Sequence, residues 1–193
     1  MTDSVSSWVD IAVAVLAAGQ GQRFGSDKLM TDLCGAPMGL HIAQTLELVP
    51  FCWRFAVCNK GAALVQHFSA CGFTVIENAE PETGQSHSLH LAVEAAEATR
   101  AKALLVVLAD MPFVTRQHVE KLTGVGEGII ASTCGGRPMP PALFPRDVWP
   151  ALLSTTGDAG ARDLLRYATL VHAPESELRD IDVPADLNET RTA

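Results

Sequence analysis

Three glycines and two cations follow the first apolar run of this chain: Gly19, Gly21 and Gly25, with Arg23 among them and Lys28 just beyond. Glycine lets the backbone take positive φ and come close to a ligand, so successive N–H groups can converge on phosphate oxygens. The stretch 16–28, Leu-Ala-Ala-Gly-Gln-Gly-Gln-Arg-Phe-Gly-Ser-Asp-Lys, therefore reads as an anion cradle entered through Leu16, Ala17 and Ala18, with Arg23 and Lys28 as its cations. It is neither of the commoner phosphate loops. Gly19-x-Gly21-x-x-x-Gly25 is one residue too long for the dinucleotide fingerprint, and no Gly-Lys-Ser/Thr follows. The second reactive group is Asp110, which ends the apolar run 103–109. A carboxylate there suits a magnesium ion, which prefers oxygen ligands and takes one or two carboxylates completed by phosphate and water. The bland alternatives are a tight glycine turn with two solvated cations, and an Asp110 that caps a helix over 115–123.

Three further polar stretches carry candidates. In 78–89, Asn-Ala-Glu-Pro-Glu-Thr-Gly-Gln-Ser-His-Ser-Leu, the residues Gly84, Ser86 and Ser88 sit where a loop gives way to a helix over 87–99. A helix start offers free N–H groups and a partial positive charge, although Ser86 could simply cap it. In 156–162, Thr-Gly-Asp-Ala-Gly-Ala-Arg, either Asp158 and Arg162 belong to an anion-holding helix start or they cap and decorate it. Asp182 precedes a proline-started helix and reads as a second metal carboxylate or as that helix's cap. His41 is expected to be structural, and His87 and His90 are left as surface residues. The five cysteines are scattered without Cys-x-x-Cys spacing, so buried free thiols are expected, with no zinc or redox pair.

These residues need a scaffold that brings distant loops together. Apolar runs at 11–16, 54–58, 73–76, 103–109, 128–133 and 170–173 read as strands, and 142–144 as a return to the sheet edge, where proline is tolerated. Helical spacing over 38–48, 62–71, 87–99, 115–123, 147–153 and 161–167 alternates with them. That alternation predicts a layered, mostly parallel α/β sheet, and the carboxyl end of the first strand is then a ligand crevice.

The bulk numbers agree. A chain of 193 residues, 48% hydrophobic and 19% charged, suits one compact α/β domain, with 1–9 expected to be a frayed leader. A net charge of −8 argues against a nucleic-acid backbone as partner. No apolar run is long enough to span a bilayer and the first seven residues lack a basic signal start, so a cytoplasmic location without membrane contact is expected.

Taken in order, Leu16-Ala-Ala-Gly-x-Gly-x-Arg-Phe-Gly-x-x-Lys28, Leu108-Ala-Asp-Met-Pro112, Thr156-Gly-Asp-x-Gly-Ala-Arg162 and Asp180-Ile-Asp-Val-Pro-Ala-Asp186 resemble the molybdenum-cofactor cytidylyltransferases of the MobA-like nucleotidyltransferase family. The resemblance implies a Rossmann-like three-layer fold, dependence on Mg²⁺, and transfer of CMP from CTP to the terminal phosphate of molybdopterin with pyrophosphate released. It implies that Arg23, Lys28 and Asp110 act in catalysis, that Asp110 and Asp182 hold the metal, and that the Gly84, Ser86 and Ser88 segment lies beside the base and sugar. It also implies a molybdoenzyme client of the xanthine dehydrogenase type. Guanylyltransferase relatives usually carry Leu-Ala-Gly-Gly where this chain has Leu-Ala-Ala-Gly19, which favours cytidine. Arg137-Pro-Met-Pro-Pro141 departs from the Gly-His-Pro run expected near the acceptor. Three alternatives stay open: an NAD(P)H-dependent oxidoreductase of a small heteroaromatic compound, a non-catalytic molybdenum-cofactor chaperone, and guanylyl or other nucleotidyl transfer.

Overall fold

The computed structural model describes residues 8–19, 27–157 and 161–181. Gly21, Arg23, Gly25, Asp158 and Asp182 lie outside the described residues. The strands described are β1 (Ile11–Ala17), β2 (Asp32–Leu33), β3 (Ala36–Pro37), β4 (Trp53–Asn59), β5 (Thr74–Asn78), β6 (Ala103–Leu108), β7 (Ile130–Cys134), β8 (Arg137–Pro145) and β9 (Thr169–His172). The helices are α1 (Met38–Glu47), α2 (Leu64–Ala70), α3 (Gln85–Glu97), α4 (Arg116–Gly124), α5 (Trp149–Leu153), α6 (Arg162–Leu165) and α7 (Glu175–Leu178).

Seven strands form one sheet in the order β5-β4-β1-β6-β8-β7-β9, and β2 and β3 form a separate hairpin. Every residue of β1 is apolar and buried, and alternation sends its side chains into two cores. Ile11, Val13, Val15 and Ala17 meet α1, α2, α4 and α7 on one face. Ala12, Ala14 and Leu16 meet α3, α5 and α6 on the other. A strand so covered belongs in a parallel sheet, and β1 pairs in parallel with β4 and β6. Only β8 runs antiparallel to its neighbours, so the result is the expected Rossmann-like three-layer α/β fold with a mostly parallel sheet. Among the described residues no helix is long and apolar enough to cross a membrane.

Three expectations are corrected. Residues 142–144 are not at the sheet edge, because β8 lies between β6 and β7. Its pairing with β6 stops at Ala142, so Pro138, Pro140 and Pro141 face β6 beyond the last paired residue and forfeit no ladder bond to it. The register against β7 slips between Ala131 and Ser132. Trp8 and Val9, expected within a frayed leader, belong to a 3-10 turn, and Trp8 donates its indole N–H to Thr123 Oγ1 at 3.0 Å. The thiols are not uniformly buried. Cys34 and Cys52 are exposed and Cys71 and Cys134 half-buried, while only Cys58 is in the core, where burial pushes its pKa up to about 12.

α4 carries the one histidine that is fully enclosed. Thr115 caps the helix by accepting the His118 N–H, so Asp110 does not cap it. His118 is 2% exposed, and its Nε2 lies 2.8 Å from Ser132 Oγ. Ser132 spends its only proton on Pro141 O at 2.8 Å, so Nε2 must be the donor and Nδ1 the bare acceptor. Nδ1 is buried with no hydrogen-bond partner.

Burial holds the His118 pKa below its ordinary 6.5, with Glu177 pulling the other way and Lys121 and His172 adding to the drop. Below that value the unfolded chain takes up a proton that the folded chain refuses, so stability falls with pH until the lowered folded pKa is reached. Thermal denaturation between about pH 7 and about pH 5 should therefore show a steeper loss of Tm for the natural protein than for His118→Gln, whose amide can keep the Ser132 bond. Equal slopes would remove His118 as the cause.

Candidate active site

After β1 the chain winds outward through β4 and β5, and then returns to lay β6 on the opposite side of β1. The carboxyl ends of β1 and β6 thus flank a switch point, where open α/β sheets form their crevice. Ala109 N donates to Leu16 O at 3.1 Å, which extends the ladder one residue and sets Asp110 directly beyond it. From the other side comes Lys28, the first residue of a 3-10 turn over Lys28–Met30. Its Nζ lies 3.1 Å from Asp110 Oδ2, and the residue is only 9% exposed. Two groups that are 82 positions apart in sequence therefore form one ion pair.

Several anchors hold that turn. Met38 N donates to Thr31 O at 2.9 Å, and His41 Nε2 donates to Leu33 O at 2.7 Å, which gives His41 its structural role. The β2–β3 hairpin reverses through Cys34 and Gly35, both at positive φ. Gly39 lets α1 lie against the turn: a Cβ there would sit 3.1 Å from Leu29 Cβ and 2.9 Å from Leu64 Cδ1. Ile181, fully buried beside Leu33 and Met38, donates its N–H to Asp110 O at 3.1 Å. That bond draws Asp180 to the crevice.

Asp110 Oδ1 is buried without a hydrogen-bond partner. A buried carboxylate oxygen left this way is costly unless a cation or donor meets it, so the residue fits a divalent ion whose remaining ligands are phosphate and water. Among the described residues no group of three or more His, Cys, Asp or Glu could hold a metal.

The start of α3 lies at the same end of the sheet. Gly84, at φ +94°, is its N-cap and no side chain caps it, so Ser86 is not the cap but a buried residue of the first turn. Ser88 accepts a hydrogen bond from Asn78 Nδ2 at 3.0 Å, and Asn78 Oδ1 accepts from Glu80 N at 2.8 Å. Asn78 thereby ties the end of β5 to α3. Asn59, opposite Asn78 in the β4–β5 register, keeps a buried Oδ1 with no partner. Sequence reading passed over Asn59, although a polar residue closing an apolar strand was the same signal that singled out Asp110.

Beyond β6 a cavity of about 400 Å³ opens. Leu16, Leu89, Leu108 and Phe144 give it an apolar lining, Cys134 and Pro138 to Pro140 form a wall, and Arg137, Arg162, Gln85 and Asp180 supply polar groups. The structure thus joins Lys28 directly to Asp110 and brings Leu16 and Arg162 to one cavity. It buries Ser88 in the Asn78 contact, turns Ala17 into the opposite core, and leaves Gly19 open, with nothing within 4 Å of where a Cβ would stand.

Residues 13–175 match the MobA-like NTP transferase domain. PucB, a purine catabolism protein of Bacillus subtilis (strain 168), is 29% identical over 195 residues that cover 92% of this chain and 94% of PucB. A molybdenum cofactor guanylyltransferase of Cereibacter sphaeroides is 29% identical over 141 residues, 72% of this chain and 69% of that protein. In fold, the chain resembles the structure of a nucleotidyl transferase from Methanothermobacter thermautotroptrophicus, with a TM-score of 0.78 at 21% identity over 94% of this chain and 96% of that one.

The tight packing at Gly39 makes a test of the Lys28 turn. Gly39→Ala should destabilise the fold by about 1–2 kcal/mol despite alanine's better helix propensity, because Leu29 Cβ cannot swing away without shifting its backbone. Calorimetry should show that loss together with weaker nucleoside triphosphate binding; unchanged binding would uncouple α1 from Lys28.

Proposed function

The chain belongs to the MobA-like NTP transferase family, and on that premise we propose that it moves CMP from CTP to the terminal phosphate of molybdopterin, with release of pyrophosphate and a requirement for Mg²⁺. The observation that carries this reading is the buried Lys28–Asp110 pair with Asp110 Oδ1 unpartnered at the switch point. Asp110, together with Asp182, would hold the Mg²⁺, which when bound neutralises charge on the triphosphate.

Transfer at phosphorus asks a protein chiefly to align the attacking and leaving oxygens and to meet their charge. On this reading Lys28 and Arg23 hold the triphosphate while the backbone from Ala18 to Gly25 cradles it. The N-terminal end of α3, open at Gly84, adds positive potential beside the sugar. The acceptor sits in the cavity beyond β6, with Arg162 available to its anionic end. An oxygen of the acceptor phosphate forms a bond to the α-phosphorus as the bond from that phosphorus to the bridging oxygen breaks, and the electron pair leaves with pyrophosphate. No side chain need remove a proton, because the attacking phosphate oxygen is already anionic.

The name of the Cereibacter relative favours a second reading, GMP transfer from GTP. The run Leu-Ala-Ala-Gly19, where guanylyltransferase relatives usually carry Leu-Ala-Gly-Gly, supports cytidine instead.

Pyrophosphate release with molybdopterin and Mg²⁺, measured in parallel with CTP, GTP and ATP, tests the proposal. CTP should be used best, and NADH should not be oxidised in the presence of heteroaromatic compounds. Asp110→Ala should remain folded and lose activity by about 100-fold or more. Substantial turnover by the folded variant would overturn the assignment of Asp110, and preference for GTP would overturn the base.

A further inference from the structure

The wall of the cavity is built from a strand that cannot hold itself in place. Pro138, Pro140 and Pro141 have no N–H, so this half of β8 lacks three backbone donors. Two hydroxyls of β7 hold it by its carbonyls instead. Thr133 Oγ1 donates to Arg137 O at 3.0 Å, and Ser132 Oγ donates to Pro141 O at 2.8 Å. Ser132 is in turn held by His118 Nε2 from α4, at 2.8 Å, and both residues are buried. The chain of contacts His118, Ser132, Pro141 therefore runs from α4 to the register slip beside Pro138, Met139 and Pro140, which line the cavity.

We propose that His118 and Ser132 are positioning residues for the acceptor: they fix where the proline wall of the cavity stands, and neither touches substrate. The proposal rests on the reading of that cavity as the acceptor site. It separates two functions of the sheet: the Lys28–Asp110 pair lies where β1 and β6 end, whereas this chain of contacts runs from α4 through β7 to β8.

Cys134, half-buried at the end of β7 and part of the same wall, reports its position independently of activity. Alkylation by iodoacetamide, followed residue by residue by peptide mass spectrometry with exposed Cys34 and Cys52 as internal references, should be about tenfold faster at Cys134 in Ser132→Ala and His118→Ala than in the natural protein. With CTP and molybdopterin, the same variants should raise KM for the acceptor about tenfold and leave KM for CTP unchanged. His118→Gln, which can still donate to Ser132, should stay close to the natural protein in both measurements. An unchanged Cys134 rate in folded Ser132→Ala, a parallel rise in KM for CTP, or failure of both alanine variants to fold would overturn the proposal. If the natural protein does not turn molybdopterin over at all, the acceptor reading falls, and the Cys134 rates still decide whether the pair holds the wall.

Discussion

An ammonium group that is nine-tenths buried must face an anion, and here the anion is the carboxylate that closes the central strand. Removing Lys28 would leave the carboxylate without its lysine at the edge of an apolar sheet, which is more costly than the intact pair. The elements around the pair are arranged to keep it. β1 and β6 lie side by side so that Ala109 bonds back to Leu16, Ile181 ties down the carbonyl of Asp110, and α1 presses through Gly39 against the turn that carries Lys28. A site in which one carboxylate oxygen meets lysine and the other stays unsatisfied suits the proposed transfer, in which charge on phosphate oxygens must be met.

The sheet divides its work according to strand direction. The parallel strands β5, β4, β1 and β6 are regularly laddered, and they lead to Asn78, Asn59, Gly19 and Asp110. Beyond β6 the ladder gives way to the antiparallel, proline-bearing β8, and there the cavity opens. Backbone hydrogen bonds hold the first half. Side chains, Ser132, Thr133 and His118 foremost, hold much of the second. In a family whose members share nucleotide chemistry, a wall held by side chains can change shape with few substitutions while the laddered half stays as it is.

Much of this architecture was legible from residue types. The uniformly apolar stretches at 11–16 and 103–109 specified buried parallel strands, because only a strand covered on both faces can afford no polar residue, and the acid at the end of the second stood out for that reason. The glycine and cation order pointed to a phosphate cradle without any coordinates, and residues 13–175 carry the family's pattern. Errors arose where local pattern was silent about neighbours. Prolines suggested a sheet edge, yet the sheet accommodates them inside by ending the β6 pairing at Ala142. Ser86 and Asp110 could each have capped a helix by sequence, and the caps are Gly84 and Thr115 instead.

Composition and spacing thus determined the layers and the strands buried on both faces, since these follow from burial within short windows. The partnership of Lys28 with Asp110, the stranded oxygen of Asn59, the approach of Ile181 and the link from His118 to the cavity wall were decided only by the tertiary fold. Each joins side chains from separate elements, and no local rule states which buried polar group will find a partner until the elements have packed.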